Sequence, residues 1–445
     1  MFFPLLHPVT RFRRLQLLIV LALPPLAPSL HAGAIVTKIT QTEHGYQLLR
    51  DGQPYLVKGV GWPNHFPPTQ LAGAKTHGAN SIRTWGTDEG TRALLDEAAR
   101  QGLSVSFGLW LAHERHSFDY NNVDDVARQF AEVRRIVTKF KDHPAILVWG
   151  LGNEMEEFPP AGHGAPGENA AIWSHIEALA ALVKSIDPNH PVMTTIAEIG
   201  GRKVSTIQQL CPDIDLIGIN AYSRIGSISE RYRVAGGTKP CLITEYGPRG
   251  HWECPHTPWG AVLEGSSSDK AQEYRTGWLS VVPPEGRTNQ CLGAYAFIWG
   301  HKQEATATWF GLLLDSGERL AAVDALEELW TGHPPANRVP EIRELGWTGP
   351  DQVTPGALLS VTVSTRAPEG SALRVRWIVR ADALKIKIGG DHEEPTREFS
   401  DAVITASATG ATLRAPAAPG AYRLFLYVYD DHDGAATANL PFLVK

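Results

Sequence analysis

Two glutamates stand where a packed strand has little use for a charge. The run Val148-Trp-Gly-Leu-Gly-Asn-Glu-Met-Glu-Glu157 turns from apolar to acidic at Asn153-Glu154, and the apolar run CLITEYG at 241–247 carries Glu245 inside it. An isolated charge in such a place is expensive unless it is paired. More polar and aromatic side chains close comparable runs. Arg83 and Trp85 end NSIRTWG, Asn220 and Tyr222 end LIGINAYS, and Trp299 is followed closely by His301 in AYAFIWGH. Two facing carboxylates suit cleavage of a glycosidic bond: one donates a proton to the departing oxygen, the other attacks the anomeric carbon as an anion. Their surroundings must drive their pKa values apart. Arg83 is suited to hold one carboxylate ionised. Asn153, Asn220 and His301 are candidates for binding substrate, and Trp62, Trp85, Trp110 and Trp299 for stacking on sugar rings. A retaining reaction requires carboxyl groups about 5–5.5 Å apart.

Eight strand-like runs position these residues. They cover 55–62, 80–86, 104–111, 145–154, 191–198, 216–223, 241–247 and 294–300. Most are near-continuously apolar, as expected of parallel strands covered on both faces. Helical spacing fills 90–100, 123–140, 170–186, 271–282 and 316–330. The alternation predicts an α/β fold, a (β/α)8 barrel over about 55–330, whose site lies at the C-terminal ends of the strands. The polar residues above crowd those ends. A β-hairpin within 34–51 is expected to plug the barrel floor. After the Pro-rich stretch GHPPANRVP at 332–340, short alternating runs predict an immunoglobulin-like sandwich. The expected organisation is a signal peptide at 1–32, a barrel with its hairpin at 33–335, and a sandwich at 341–445. The sandwich is expected to pack on the barrel, because it shows no row of exposed aromatics.

Composition excludes some functions. The chain has 445 residues, 43% hydrophobic and 20% charged, with a formal net charge of −6. No basic stripe marks a nucleic-acid partner. There is no GxSxG, P-loop or dinucleotide fingerprint, and no cofactor is expected. Arg11, Arg13 and Arg14 before the apolar run 15–26, with Leu30-His31-Ala32 as a cleavage site, predict export to the periplasm or medium without a lasting membrane span. Cys211, Cys241, Cys254 and Cys291 fit no zinc spacing. A disulfide is allowed in an exported chain; Cys211 and Cys241 precede neighbouring strands, and free thiols are the alternative. His113, Glu114 and His116 lack metal-site spacing and read as a subsite wall or a solvated loop. Glu156 and Glu157 read as loop charges. His251, Trp252 and Trp259 are candidates for a groove wall. His301, Gln303, Glu304 and Trp309 could shape the site, and Asp430-Asp431-His432-Asp433 reads as a polar hairpin turn.

A resemblance follows from four motifs in order: DGQPYLVKGVGW at 51–62, NSIRTWG at 80–86, HPAILVWGLGNE at 143–154 and PCLITEYG at 240–247. Over about 45–330 the chain resembles clan A glycoside hydrolases, and its barrel is most similar to that of family 2. The resemblance implies Glu154 as acid/base, Glu245 as nucleophile and Asn153 on the hydroxyl beside the anomeric carbon. It places Arg83 and Tyr222 against the nucleophile and implies retention at β-linkages. Family 2 enzymes usually carry their β domains before the barrel, whereas here a sandwich follows it. The barrel is also similar to family 72 β-1,3-glucan transglycosylases. The expected activity is a retaining β-glycosidase on a glucan-like oligo- or polysaccharide. The alternatives are a transglycosylase using the same glutamates and a non-catalytic carbohydrate-binding protein.

Overall fold

The computed structural model describes Met1 and residues 33–156, 169–282, 290–387 and 390–445. The expected signal peptide, apart from Met1, and Glu157 lie outside the described residues. Eight parallel strands close into a barrel: β1 (Val57–Gly61), β2 (Ser81–Arg83), β3 (Ser104–Leu109), β4 (Ile146–Leu151), β5 (Val192–Ala197), β6 (Leu216–Asn220), β7 (Cys241–Tyr246) and β8 (Cys291–Ala296). Each pairs with its neighbours in chain order, and β8 closes on β1 with Gly293 opposite Val57. Every residue of β3, β4, β7 and β8 is buried, which accounts for their continuous apolar character.

The helices follow their spacing. Val123–Phe140 starts where the Asn122 side chain accepts the amides of Asp124 and Asp125, and it buries Val133, Ile136, Val137 and Phe140. Ala170–Ile186 starts from Asn169 in the same way. Two short helices, Lys203–Leu210 and Ile228–Val234, fill the connections after β5 and β6.

The two barrel ends differ. At the floor, Thr37–Thr42 and Gly45–Arg50 pair as an antiparallel hairpin. Its Leu48, with Ile39 and Tyr46, packs against Val57, Leu147, Met193, Leu242 and Leu292. At the opposite end the strands finish in the polar residues singled out above. There an antiparallel hairpin, β9 (His301–Glu304) and β10 (Thr306–Gly311), rises directly from β8.

The C-terminal region is a sandwich of two four-stranded sheets. One contains β11 (Glu341–Trp347), β13 (Leu358–Arg366), β15 (Val403–Ser407) and β16 (Gly410–Arg414). The other contains β12 (Gln352–Val353), β14 (Arg374–Ala381), β17 (Gly420–Tyr429) and β18 (Ala435–Val444). Leu359, Val361, Leu413, Leu424, Leu426 and Phe442 fill its core. It docks on the barrel through buried polar groups. The Thr437 amide donates to Ser267 at 2.9 Å, Arg423 to the Val262 carbonyl at 2.8 Å, and Asn439 to Glu264 at 2.6 Å. Burial alone would raise the Glu264 pKa, but Lys270 and Arg423 hold it below the usual carboxylate range. Asp430 caps the β17–β18 turn by accepting the amides of His432 and Gly434. Among the described residues no group of three or more His, Cys, Asp or Glu could hold a metal ion, and no helix is long and apolar enough to cross a membrane.

The four cysteines form no disulfide. The strand partner of Cys241 is Cys291, directly across the β7–β8 ladder, whereas Cys211 lies buried against the Trp173 carbonyl.

Candidate active site

The cavity at the C-terminal ends of the strands has a volume of about 1340 Å3. Both glutamates line it. Glu245, on β7, is buried and its two oxygens are held from different sides. Arg83 Nη1 donates to Oε1 at 2.8 Å, Trp85 Nε1 to the same oxygen at 2.9 Å, and Tyr222 Oη to Oε2 at 2.9 Å. Charge-assisted bonds of this kind are the strong ones. Burial and the adjacent carboxylate push the Tyr222 pKa well above its usual value, so its hydroxyl stays a donor.

Arg83 is the hub. It is buried, and it also donates to the Thr244 carbonyl at 2.9 Å and, through Nη2, to Asn153 Oδ1 at 2.6 Å. Asn220 Nδ2 donates to Glu154 Oε1 at 2.6 Å and to Asn153 Oδ1 at 3.2 Å, while its Oδ1 takes the Thr244 hydroxyl at 2.7 Å. One network therefore ties β2, β4, β6 and β7 together. With Asn153 Oδ1 taken by two donors, its Nδ2 is the atom left to meet a ligand hydroxyl.

Local backbone makes room for these groups. Trp85 is seated by two glycines: a Cβ on Gly61 would meet its ring at 2.7 Å, and one on Gly108 would meet its backbone at 2.5 Å. The Arg83 guanidinium lies 4.9 Å from that ring centre. Glu154 sits just past β4 with φ 55, a left-handed conformation costing about 1–3 kcal/mol for a non-glycine residue. Its amide donates to the Thr195 carbonyl at 2.9 Å, which pins that conformation.

The structure places the other candidates unevenly. Trp85, Trp110, Asn153, Asn220, Tyr222 and His301 all line the cavity. Trp110 is 48% exposed, an open platform, and His301 Nε2 is engaged with the Ala307 carbonyl at 2.9 Å. Trp299 and Trp62 do not face the cavity. The chain turns out of β8 after Ala296 and carries Trp299 into a buried position against Gly73 and His77, so Phe297 and Ile298 face the cavity instead. Trp62 is fully buried against Phe66. Glu156 is no loop charge: it is buried, accepts the Ala197 amide at 2.7 Å and pairs with Lys203 at 3.0 Å, bracing the end of β5.

His113 also lines the cavity; both its ring nitrogens are buried and find no hydrogen-bond partner among the described residues, and burial, with Arg115 and His116 nearby, pushes its pKa down to about 4. Glu304 is buried beside Lys302, with His251 3.4 Å away; burial would raise its pKa, but these partners hold it below the usual carboxylate range.

Two groups of cavity residues went unread in the sequence. Glu198, also at φ 55, directly follows β5 and pairs with Arg231, one contact being 3.0 Å. The second group comes from the sandwich: Ile386, Lys387, Gly390, His392, Glu393 and Pro395. The signal for it was length. About twenty residues separate β14 from β15, and structureless connections that long are usually functional.

A model of the TIM-barrel domain of glycosyl hydrolases family 2 matches residues 76–253, the stretch holding Arg83, Asn153, Glu154, Asn220, Tyr222 and Glu245. Over that stretch the barrel resembles the clan A glycoside hydrolase barrels of family 2. Two curated proteins, each named probable mannan endo-1,4-β-mannosidase F, from Aspergillus flavus and Aspergillus oryzae, are 26% identical to this chain over 175 residues. The match covers 32% of this chain and 35% of theirs, so it spans about a third of those relatives. Among solved structures, β-glucuronidase 2 of Bacteroides uniformis aligns with TM-score 0.52 at 14% identity, over 92% of this chain and 48% of that one. A β-glucuronidase of Ruminococcus gnavus aligns with TM-score 0.50 at 14% identity, over 66% and 52%. These two likenesses are of fold.

Proposed function

We propose that the protein is a retaining β-glycosidase acting on a β-linked oligo- or polysaccharide. The observation that carries this reading is the placement of Glu245 among three donors, joined through Arg83, Asn153 and Asn220 to Glu154. Arg83, Trp85 and Tyr222 fix the orientation of the Glu245 carboxylate for attack on the anomeric carbon. Glu154 donates a proton to the departing oxygen, and a covalent glycosyl-enzyme forms on Glu245. Glu154 then takes a proton from water, and the activated water attacks the same carbon and releases the sugar. The free Nδ2 of Asn153 binds the hydroxyl beside the anomeric carbon. No step calls for a cofactor.

The sugar is a β-linked hexose polymer. The sequence resemblance favours glucan, and the curated relatives are named for mannan. Residues 1–32 have the charge and apolar pattern of an export signal, and a polysaccharide substrate suits a secreted or periplasmic enzyme.

The test is product analysis by mass spectrometry and proton NMR. Wild type and Glu245→Gln are incubated with β-glucans, β-mannans and β-galactans, and with aryl β-glycosides of each sugar. Shorter products from wild type alone, released first as the β-anomer, are expected. First release of the α-anomer would sink retention. Activity of Glu245→Gln equal to wild type would remove the assigned nucleophile, and products longer than the substrate would move the reading to transglycosylation.

A further inference from the structure

The sandwich reaches the active site through one connection. The segment after β14 is rooted where Arg423 and Asp382 form a fully buried pair at 2.9 Å. It then crosses to the mouth of the barrel, where it is fastened at two places on the rim. Glu393 is buried and bridges two backbone amides: Oε2 accepts the Ala305 N–H at 2.9 Å, in the hairpin after β8, and Oε1 accepts the Lys387 N–H at 3.0 Å. Asp391 lies 3.3 Å from Arg115 and 3.6 Å from His116, in the loop after β3. Just before these fastenings in the chain, Ile386, like Trp85, packs on the cluster of Phe297, Ile298 and Phe310.

The circular strand order gives this its meaning. The anchors lie after β8 and β3, so the segment spans the part of the rim above β1 and β2. Glu154 and Glu245 belong to the other arc, β4 to β7. A departing sugar must leave beside the acid/base, over the ends of β4 and β5, where Glu198 and Lys203 line the cavity. The sugar that stays on Glu245 must lie on the opposite side, over Trp85 and Phe297. That is the side the sandwich segment walls off.

We propose, resting on the function above, that the sandwich segment closes the glycone side of the cleft, so that the enzyme admits a glycan by its non-reducing end and removes short units from that end. Glu393 and Asp391 are positioning residues that pin the wall, and Ile386 is its apolar face. A sandwich that only packed on the barrel would need neither a buried carboxylate spanning two backbone amides at the mouth nor a second fastening across the rim. The segment contributes no group to the chemistry; it decides where along a chain the two glutamates can work.

The test uses the full chain and three substrates of whichever sugar is cleaved: an aryl β-glycoside, an oligosaccharide labelled at its reducing end, and the same oligosaccharide with its non-reducing terminal sugar capped by a cyclic acetal. Wild type is expected to shorten the labelled chain from the far end and to cleave the capped chain at least a hundredfold more slowly. Glu393→Ala should raise the ratio of internal to terminal cuts at least tenfold and make the capped chain a substrate. Asp391→Ala, which leaves the buried anchor intact, should move the ratio the same way by a smaller factor, and it serves if Glu393→Ala does not fold. Equal rates on capped and uncapped chains by a wild type active on the aryl glycoside would overturn the closure while leaving the function standing. Inactivity on all three would overturn the function, and the closure with it.

Discussion

Glu245 and Glu154 face one cavity from different supports. Glu245 belongs to a strand whose residues are all buried, and three side chains from β2, from just beyond β2 and from just beyond β6 grip both its oxygens. Glu154 stands three residues past its strand, on a left-handed backbone, and takes the neutral amide of Asn220. The difference matches the two tasks. A nucleophile must present the same oxygen at the same angle in every turnover, and a dense donor set fixes that geometry. The proposed acid/base must give up a proton and take one back, and Asn220 meets it as a neutral donor.

The largest test of this contrast is removal of the attacking anion. Glu245→Gln should lower kcat on every substrate by about 10^4-fold or more, as loss of a nucleophile does elsewhere, measured by initial rates. Glu154→Gln should lower it by about 10^2–10^4 on natural leaving groups. On aryl glycosides with acidic phenols the loss should shrink markedly, because such groups leave without a proton; an equal loss on both would remove Glu154 as the acid. Tyr222→Phe deletes one of the three donors to Glu245 and should cost about tenfold in kcat/KM, the worth of one hydrogen bond to a charged group. Its effect should not depend on the leaving group.

The aromatic residues sharpen the contrast between lining and packing. Trp110→Ala should raise KM for oligosaccharides about tenfold through loss of a stacking surface, with the melting temperature nearly unchanged. Trp299→Ala should instead lower the melting temperature, because deleting a buried ring costs roughly 3–5 kcal/mol of stability. The smallest effect is on pH. Burial pushes the pKa values of His113 and of His175, buried on the helix Ala170–Ile186, down to about 4, below the ordinary value of 6.5. The unfolded chain therefore binds more protons between these values, so both sites favour the fold fully above pH 6.5 and progressively less as pH falls towards 4. The thermal midpoint of His175→Asn should fall less steeply over that window than that of wild type.

The barrel was legible because its signal repeats. Eight apolar runs separated by helical spacing leave few architectures, and the strand-end rule then turned polar exceptions into a site. Arg83, Glu154, Asn220 and Glu245 were readable as exceptions in apolar company. Trp299 misled because it is as aromatic and as near a strand end as Trp85. Which of the two faces the cavity depends on how the chain leaves β8, and no periodicity records that turn. Glu156 read as a loop charge because its partners, the Ala197 amide and Lys203, lie more than forty residues away.

What the sequence determined by itself was the alternation of elements, the two carboxylates with their neighbours Arg83 and Asn153, and the existence of a second all-β region. Those are properties of local spacing and of charges that burial would penalise. Tertiary structure alone decided that Glu245 receives three donors, that Phe297 and not Trp299 meets the cavity, and that a segment near residue 390 forms a wall of the site that holds Glu245. Such contacts join residues up to 162 positions apart, and only the closure of the barrel and the docking of the sandwich bring them together.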